Sequence, residues 1–255
     1  MKIDKKLYVF DMDGTIYLGE NVFPFAVTYI KRLRSEGRRV LFFTNNASKS
    51  PDFYVKRLAR MGFEPRKDEI MTSGDVTIRF LKEKRPGKSV YLLGTKLLRK
   101  SFVDAGIELS DDAEIVVTSF DTELTYAKLE KACTLIRGGA EYLCTHPDLN
   151  CPTENGFIPD SGAIAAAVTA STGAVPRYFG KPYADTAEMI CSYTGVSPSD
   201  ACIFGDRLYT DIALGKNSGM TAVLVLSGET KRGDLEKLRP EQMPDIILES
   251  IKDLL

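Results

Sequence analysis

Residues 7–15 read LYVFDMDGT, an apolar run that ends abruptly in two aspartates and a glycine. Leu7–Phe10 has the length and composition of a buried strand. Successive strand residues point to opposite faces, so Asp11 and Asp13 are expected on the same side at the strand's end. Because ligands bind beyond the carboxyl ends of parallel strands in α/β sheets, this stretch predicts a ligand site there.

The Asp-x-Asp-Gly motif itself indicates metal and phosphate chemistry. Two carboxylates this close repel each other unless a cation neutralises them, and Mg²⁺ is the usual cation where a phosphate shares the site. Gly14 allows a sharp turn that exposes backbone amides to an anion. The alternative is a turn that merely ends the strand, since Asp and Gly are common in turns. An EF-hand is excluded, because residues 16–18 do not continue its acidic pattern.

Three more polar motifs follow along the chain. They are Thr44-Asn45-Asn46 after a strand at 40–43, Gly180-Lys181-Pro182 in a turn, and Gly205-Asp206 with Thr210-Asp211 after a strand at 201–204. Hydroxyls, amides and a lysine suit a phosphate, and further carboxylates bind or support a metal. Each motif alone also has a structural explanation, as a helix N-cap, a surface turn or an acid beside a helix dipole. Their occurrence together, in this order, favours one shared site.

The rest of the chain alternates strand-like and helical segments, which is typical of an α/β protein with a mostly parallel sheet. Nothing in this periodicity alone requires two domains. Residues 146–162 contain three prolines and are predicted to form a loop.

Composition excludes several other classes of protein. The chain has 255 residues, with 34 Lys+Arg against 35 Asp+Glu, which gives no general reason to expect nucleic acid or an anionic membrane. It lacks both a signal-peptide pattern and a membrane-length apolar run, and its five cysteines form no Cys-x-x-Cys pair, so a cytoplasmic protein is expected. A single histidine excludes a multi-histidine zinc site, and no cysteine has the Cys-x5-Arg spacing of a thiol phosphatase.

The ordered set Asp-x-Asp-Gly-Thr, Thr-Asn-Asn, Gly-Lys-Pro and Gly-Asp-Arg-x-x-Thr-Asp resembles the haloacid dehalogenase-like (HAD) hydrolase superfamily. Over essentially the whole chain it is most similar to subfamily IIA, the NagD-like and 4-nitrophenylphosphatase-like phosphatases. The resemblance implies a Rossmann-like, doubly wound parallel sheet as core, residues 1–79 and 179–255. It also implies an inserted α/β cap domain of the C2 type, residues 80–178. The expected activity is Mg²⁺-dependent hydrolysis of small-molecule phosphate monoesters, such as sugar phosphates, nucleotides or 4-nitrophenyl phosphate.

The resemblance also implies a role for each motif. Asp11 is expected to be the nucleophile and a Mg²⁺ ligand. Asp13 is expected to be the acid and base, with its backbone carbonyl on the metal. The remaining implied roles are phosphoryl or substrate binding for Thr44, Asn45, Asn46 and Lys181, metal binding for Asp206, and support of the metal site for Asp211. Thr44 and Lys181 count among the catalytic residues.

In the predicted cap, the loop at 145–152 is expected to select the leaving group. His146, Asp148 and Cys151 are its candidate substrate contacts, and a purely structural His146 is an equal alternative. Relatives that act on pyridoxal phosphate have a histidine at the position of Cys151, which argues against a dedicated pyridoxal phosphatase. Caps of this type also mediate dimers, so a homodimer through the cap is a further expectation.

Two other functions use similar residues. A phosphotransferase or mutase would share the aspartyl nucleophile but pass the phosphoryl group to a sugar hydroxyl. A non-enzymatic receiver-like module also combines acids, Mg²⁺ and a lysine, but such modules are about half this length and have no cap.

Overall fold

The computed structural model describes residues 3–153 and 156–255. The strands are β1 (Leu7–Phe10), β2 (Tyr17–Leu18), β3 (Asn21–Val22), β4 (Arg39–Thr44), β5 (Ile70–Thr72), β6 (Val90–Leu93), β7 (Ile115–Thr118), β8 (Glu141–Cys144), β9 (Asn150–Thr153), β10 (Gly156–Pro159), β11 (Arg177–Tyr178), β12 (Ala201–Gly205), β13 (Thr221–Val225) and β14 (Ile246–Leu248). The α-helices are α1 (Pro24–Ser35), α2 (Pro51–Arg60), α3 (Ser73–Lys84), α4 (Lys96–Asp104), α5 (Tyr126–Arg137), α6 (Ser161–Thr172), α7 (Ala184–Thr194) and α8 (Ala213–Ser218). In this described part, every helix is too short or too polar to cross a lipid bilayer.

The described residues divide into two compact units. The first comprises residues up to 44 together with 51–71 and 181–255, and the second comprises 45–50 and 72–180. Each unit contains its own mainly parallel sheet. The fold is therefore α/β, as the sequence predicts.

The sheet of the first unit runs in the order β14-β13-β12-β1-β4-β5. β1 pairs in parallel with β12 on one side and with β4 on the other. The chain thus moves outward from β1 first towards β5 and later towards β14, which makes the sheet doubly wound. The change of direction between β1 and β12 creates a switch point, where such sheets bind ligands.

Apolar side chains hold this sheet together. β1 is buried along its whole length, and the rings of Phe10 and Phe204 stack with their centroids 4.7 Å apart. Tyr8 and Tyr29 pack edge to face in the same cluster, and Tyr29 comes from α1. Burial of this kind contributes about 25 cal/mol per Å² of apolar surface. The ends of β1 and β12, which carry polar residues, are thereby fixed side by side.

The second unit contains a parallel sheet in the order β11-β8-β7-β6. Its apolar core joins β6, β7 and β8 to α5 and α6, and it includes Val116, Ile136 and Val168. The unit also contains an antiparallel pair, β9 and β10. The predicted limits of the cap, residues 80–178, stay a prediction.

Residues 146–162 correct one expectation, because they are not wholly a loop. Asn150–Thr153 and Gly156–Pro159 form the β9–β10 pair in spite of Pro152 and Pro159. Proline is tolerated in edge strands, since no donor is needed on the side that faces away from the partner. The sequence reading also did not identify α3, α7 and the short strand β5.

Candidate active site

Lys181 lies at the centre of a buried charge cluster in the first unit. Only 3% of the residue is exposed. Its Nζ pairs with Oδ1 of Asp11, which directly follows β1, and lies 2.6 Å from Oδ1 of Asp211. The same Nζ lies 5.6 Å from the centroid of the Phe43 ring, within the range of a cation–π contact. One ammonium group thus links two aspartates at the carboxyl edge of the sheet.

Asp206 directly follows β12 and contributes a third carboxylate. Its Oδ2 accepts the backbone N–H of Glu229 at 2.7 Å. Its Oδ1 is buried and accepts no hydrogen bond from the residues that the structure describes. One carboxylate oxygen from each of Asp11, Asp206 and Asp211 lies within 4.8 Å of the others. A buried oxygen without a donor beside two further carboxylates is an arrangement that a hard divalent cation fits.

The electrostatics of the cluster follow from this crowding. Burial raises the pKa of Asp11 to about 7, partly offset by Lys181, with Asp211 and Asp206 adding to the rise. Burial also raises the pKa of Asp206 to about 6, again with a contribution from Asp211. For Lys181, burial lowers the pKa, but the Asp11 and Asp211 carboxylates outweigh it and the net pKa is raised. The lysine therefore stays charged, whereas burial and the neighbouring carboxylates disfavour the charged forms of Asp11 and Asp206.

Two glycines make room for the Asp206 carboxylate. A Cβ on Gly14, whose φ is +83°, would lie 2.3 Å from Oδ2 of Asp206, and a Cβ on Gly228 would lie 2.0 Å from the same atom. Ser227 Oγ donates to the carbonyl of Gly14 at 2.8 Å and so joins the two turns. The sequence analysis identified Gly14 but missed Gly228. Its only signal was a Ser-Gly pair just beyond the apolar strand β13.

Asp211 is held by the backbone around it. It lies in a π-helical turn, Leu208–Ile212, an irregularity that is frequent at functional sites. Its Oδ2 accepts the Arg207 N–H and the Thr210 hydroxyl, both at 3.2 Å. A Cβ on Gly205 would lie 2.1 Å from both Cβ and Cγ of Asp211, so the glycine is required for this close approach.

Asp13 and Thr44 occupy neighbouring parts of the first unit. Asp13 is exposed, and its Oδ1 accepts the N–H of Gly19 at 3.2 Å. Thr44 is the last residue of β4, which pairs with β1. The structure therefore brings Asp11, Lys181, Asp206 and Asp211 close together. Asp13 lies in the segment that follows β1, and Thr44 is the last residue of β4.

The next two predicted residues, Asn45 and Asn46, fall in the second unit. Asn45 is buried, and its Nδ2 donates to the two carboxylate oxygens of Asp148 at 3.3 and 3.2 Å. Asn46 Oδ1 accepts the Ser48 N–H at 3.0 Å and the Ser48 hydroxyl at 2.7 Å, a local turn. Asp148 is thus placed beside a predicted phosphate-binding residue.

The remaining candidates of the predicted cap differ from each other in burial. His146 is fully buried, and its Nε2 lies 2.8 Å from Oδ1 of Asp160. Cys151 is half-buried on β9. The sequence assigned no role to Asp160, whose signal was its place just before the alanine-rich helix α6, where it caps the helix N-terminus.

Comparison with known proteins identifies the class to which this fold and site belong. A family model described as haloacid dehalogenase-like hydrolase matches residues 8–108, and a related HAD hydrolase-like model matches residues 178–254. An acid sugar phosphatase of Staphylococcus aureus is 34% identical over 251 residues, which are 98% of this chain and 95% of that protein.

Solved structures agree. The 4-nitrophenylphosphatase of Thermotoga maritima is 39% identical, with a TM-score of 0.92 over 98% of this chain and 96% of its own. The p-nitrophenyl phosphatase of Archaeoglobus fulgidus is 32% identical, with a TM-score of 0.91 over 99% and 98%.

The chain belongs to the haloacid dehalogenase-like hydrolases, within subfamily IIA, the NagD-like and 4-nitrophenylphosphatase-like group. It is an enzyme that hydrolyses phosphoric monoester bonds. The resemblance inferred from the four motifs is thereby confirmed, and the receiver-like alternative is wrong.

Proposed function

We propose that the protein is a Mg²⁺-dependent phosphatase of small phosphate monoesters, which works through a phospho-aspartyl intermediate on Asp11. The observation that carries this proposal is the buried Lys181, which pairs with Asp11 and lies 2.6 Å from Asp211, beside an Asp206 oxygen that has no donor among the described residues. Phosphoryl transfer depends mainly on positioning and on charge neutralisation, and this cluster is suited to both.

In the proposed first step, a carboxylate oxygen of Asp11 attacks phosphorus, and the bond from phosphorus to the ester oxygen breaks. Asp13 protonates the departing alkoxide, a role that fits its exposed carboxylate. In the second step Asp13 takes a proton from water, which attacks phosphorus and releases phosphate together with a free Asp11. The covalent intermediate divides one difficult displacement into two easier ones.

Lys181 and the motif that begins at Thr44 have binding roles in this proposal. Lys181 neutralises the charge on Asp11 and on the phosphoryl oxygens. The Thr44 hydroxyl and the amide of Asn45 bind the phosphoryl group, and Asn46 belongs to the same motif. Because Asp211 also pairs with Lys181, it fixes the position of the ammonium group.

The cation would be held by Asp11, Asp206 and the backbone carbonyl of Asp13, with Asp211 in support. When bound, Mg²⁺ supplies positive charge that draws the phosphoryl oxygens and the Asp11 carboxylate together. The buried Asp206 Oδ1, which accepts no hydrogen bond from the described residues, is the feature that favours such an ion.

We propose sugar phosphates and 4-nitrophenyl phosphate as the first substrates to test, since relatives are named for action on them. Residues 80–178 are proposed as the cap that selects among them, through the segment that contains His146, Asp148 and Cys151.

The test is phosphate release from several dozen phosphomonoesters, with and without Mg²⁺, with Asp11→Asn as the control. We expect release that requires both the metal and Asp11. Release that proceeds at the same rate with chelator, or in Asp11→Asn, would exclude the mechanism. Transfer of phosphate to an added sugar in preference to water would favour the phosphotransferase alternative.

A further inference from the structure

His146, the only histidine of the chain, lies at the centre of a buried hydrogen-bond network in the second unit. Its Nε2 lies 2.8 Å from Oδ1 of Asp160. Its Nδ1 lies 3.0 Å from the hydroxyl oxygen of Thr145 and 3.2 Å from that of Ser73. Both ring nitrogens therefore have partners, and the ring is not free to contact a ligand.

The network reaches Asn45 from two directions. Ser73 Oγ donates to the backbone carbonyl of Asn45 at 2.5 Å, and Asp148 accepts from the Asn45 side chain. Gly180 closes the remaining side, since a Cβ there would lie 2.7 Å from Cβ of His146 and 2.8 Å from Oδ1 of Asn45. The main chain and the side chain of Asn45 are thus both constrained.

Both ends of the network are anchored on helix N-termini. Asp160 is the N-cap of α6 and accepts the Ser161 N–H at 2.6 Å. Ser73 is the first residue of α3, where Thr72 and Asp75 exchange reciprocal hydrogen bonds in a capping box. The hydrogen bonds from Asp160 through His146 to Ser73 therefore connect the N-termini of two helices, α6 and α3.

Donor counting fixes one proton of the ring. A carboxylate only accepts, so the proton between His146 and Asp160 belongs to Nε2. Nδ1 lies within hydrogen-bond distance of the Thr145 and Ser73 hydroxyl oxygens, so both edges of the ring are held by protein groups.

Two carboxylates lie beside the ring. Ligand atoms of Asp148, Asp160 and His146 lie within 4.8 Å of one another. The Cys144 thiol donates to the His146 carbonyl. Because these carboxylates already accept hydrogen bonds from His146, Ser161 and Asn45, the cluster is occupied by protein donors and does not require a metal ion.

We propose that His146 is a positioning residue that holds Asn45, through Ser73, in the orientation needed to bind the phosphoryl group. This inference rests on the proposed function, in which Asn45 is part of the phosphate site. In this proposal His146 itself contacts no substrate, so the structural role is adopted over the alternative of a substrate contact.

The first arm of the test compares Ser73→Ala with Thr77→Val. Thr77 provides a matched control, because its buried hydroxyl lies one turn further along α3 and bonds only to the Ser73 carbonyl among the hydrogen bonds described. We expect Ser73→Ala to lower kcat for 4-nitrophenyl phosphate roughly tenfold, with KM within about twofold, since one hydrogen bond to a transition-state contact is lost. Thr77→Val is expected to keep the wild-type kcat. Equal kcat values in the two variants would overturn the proposal.

A double-mutant cycle tests whether the residues act as one chain. His146→Gln alone and together with Ser73→Ala should lower kcat by about the same factor, because either change interrupts the same connection. If kcat of the double variant fell by the product of the two single-variant factors, the two residues would act independently, which would contradict the proposal. Thermal unfolding of each variant separates loss of folded protein from loss of turnover.

The second arm does not depend on activity. In untagged protein labelled with ¹⁵N-histidine, the imidazole signals come from His146 alone, and Nε2 should show an attached proton, since it donates to the Asp160 carboxylate. Ser73→Ala should also shift the backbone amide signals of Asn45 and Asn46 more than Thr77→Val does. A ring without a proton on Nε2, or unchanged amide signals, would overturn the network as described. If the wild type releases no phosphate, the proposed function fails and this arm still decides the network.

Discussion

The cluster around Lys181 and the network around His146 use the same kinds of side chain for different ends. Each places one nitrogen base among buried or half-buried carboxylates, and each contains three groups whose ligand atoms lie within 4.8 Å. Around Lys181, the Oδ1 of Asp206 has no donor from the described residues. Around His146, the carboxylates accept hydrogen bonds from the protein itself. The balance of donors and acceptors, more than residue type, separates a ligand site from a positioning site.

This difference has an energetic side. Burial raises the pKa of Asp11 to about 7 and that of Asp206 to about 6, so the first cluster is not electrostatically complete without a further cation. A cation that binds among these carboxylates relieves that imbalance.

Lys181→Met keeps the length of the side chain and removes its charge. We expect kcat to fall by at least about 10³-fold, because the charge that stabilises the transferring phosphoryl group is lost in a site that excludes water. Lys216→Met is the matched control: Lys216 pairs with the partly exposed Asp245, and such pairs contribute little. A Lys181→Met enzyme with more than a tenth of the wild-type kcat would refute the role assigned to this lysine.

Asp206→Asn and Asp160→Asn test which of the two clusters binds Mg²⁺. Asp206→Asn should weaken Mg²⁺ binding at least about tenfold, since it removes a charged ligand. Asp160→Asn should leave Mg²⁺ affinity unchanged and instead lower the free energy of unfolding by about 1–2 kcal/mol, as a charge-assisted hydrogen bond is weakened. Isothermal titration calorimetry and chemical denaturation provide the two values. Reduced Mg²⁺ affinity in Asp160→Asn alone would reverse the assignment.

The Mg²⁺ affinity should depend on pH in a direction set by the acids. A protonated carboxyl is a poor ligand, and the pKa values of Asp11 and Asp206 are raised to about 7 and about 6. Affinity should therefore rise with pH up to about 7 and then level off. Below about pH 6 the fall should approach about tenfold per pH unit for each proton released. Calorimetry in buffers of different ionisation enthalpy counts those protons, and Asp206→Asn should release fewer. Affinity that is constant from pH 5 to 8 would contradict the raised pKa values.

Gly228→Ala tests the fit around Asp206. The added Cβ would lie 2.0 Å from Oδ2 of Asp206, so the carboxylate or the turn must shift. We expect a loss of Mg²⁺ affinity of about three- to tenfold. Gly233→Ala is the control, because no atom lies within 4 Å of its added Cβ. Equal affinities in the two variants would show that the close approach does not matter.

Much of the fold could be predicted from local patterns. The prediction of β1 is confirmed to the residue, because it is a short apolar run bounded by polar residues. α3 was missed because it begins with Ser-Gly and contains β-branched residues, which are weak helix formers. Its signal was the Thr72–Asp75 capping box, a spacing that is also common outside helices.

The site was predictable to the extent that its residues follow strands. Asp11 and Asp206 end neighbouring strands, so the parallel sheet itself brings them together. The π-helical turn around Asp211 and the contact of Gly228 with Asp206 depend on tertiary packing. The same holds for the link from His146 to Ser73, which are 73 residues apart in the sequence. No local pattern encodes such a distance.

The most direct test is to look for the phosphoryl group on Asp11. Asp13→Asn should slow the step in which water is activated, so the intermediate should accumulate when this variant turns over 4-nitrophenyl phosphate with Mg²⁺. After an acid quench, mass spectrometry should find a phosphoryl adduct on the peptide that contains Asp11, and hydroxylamine should remove it, as expected for an acyl phosphate. Turnover without such an adduct, or with the adduct on another residue, would contradict the proposed mechanism.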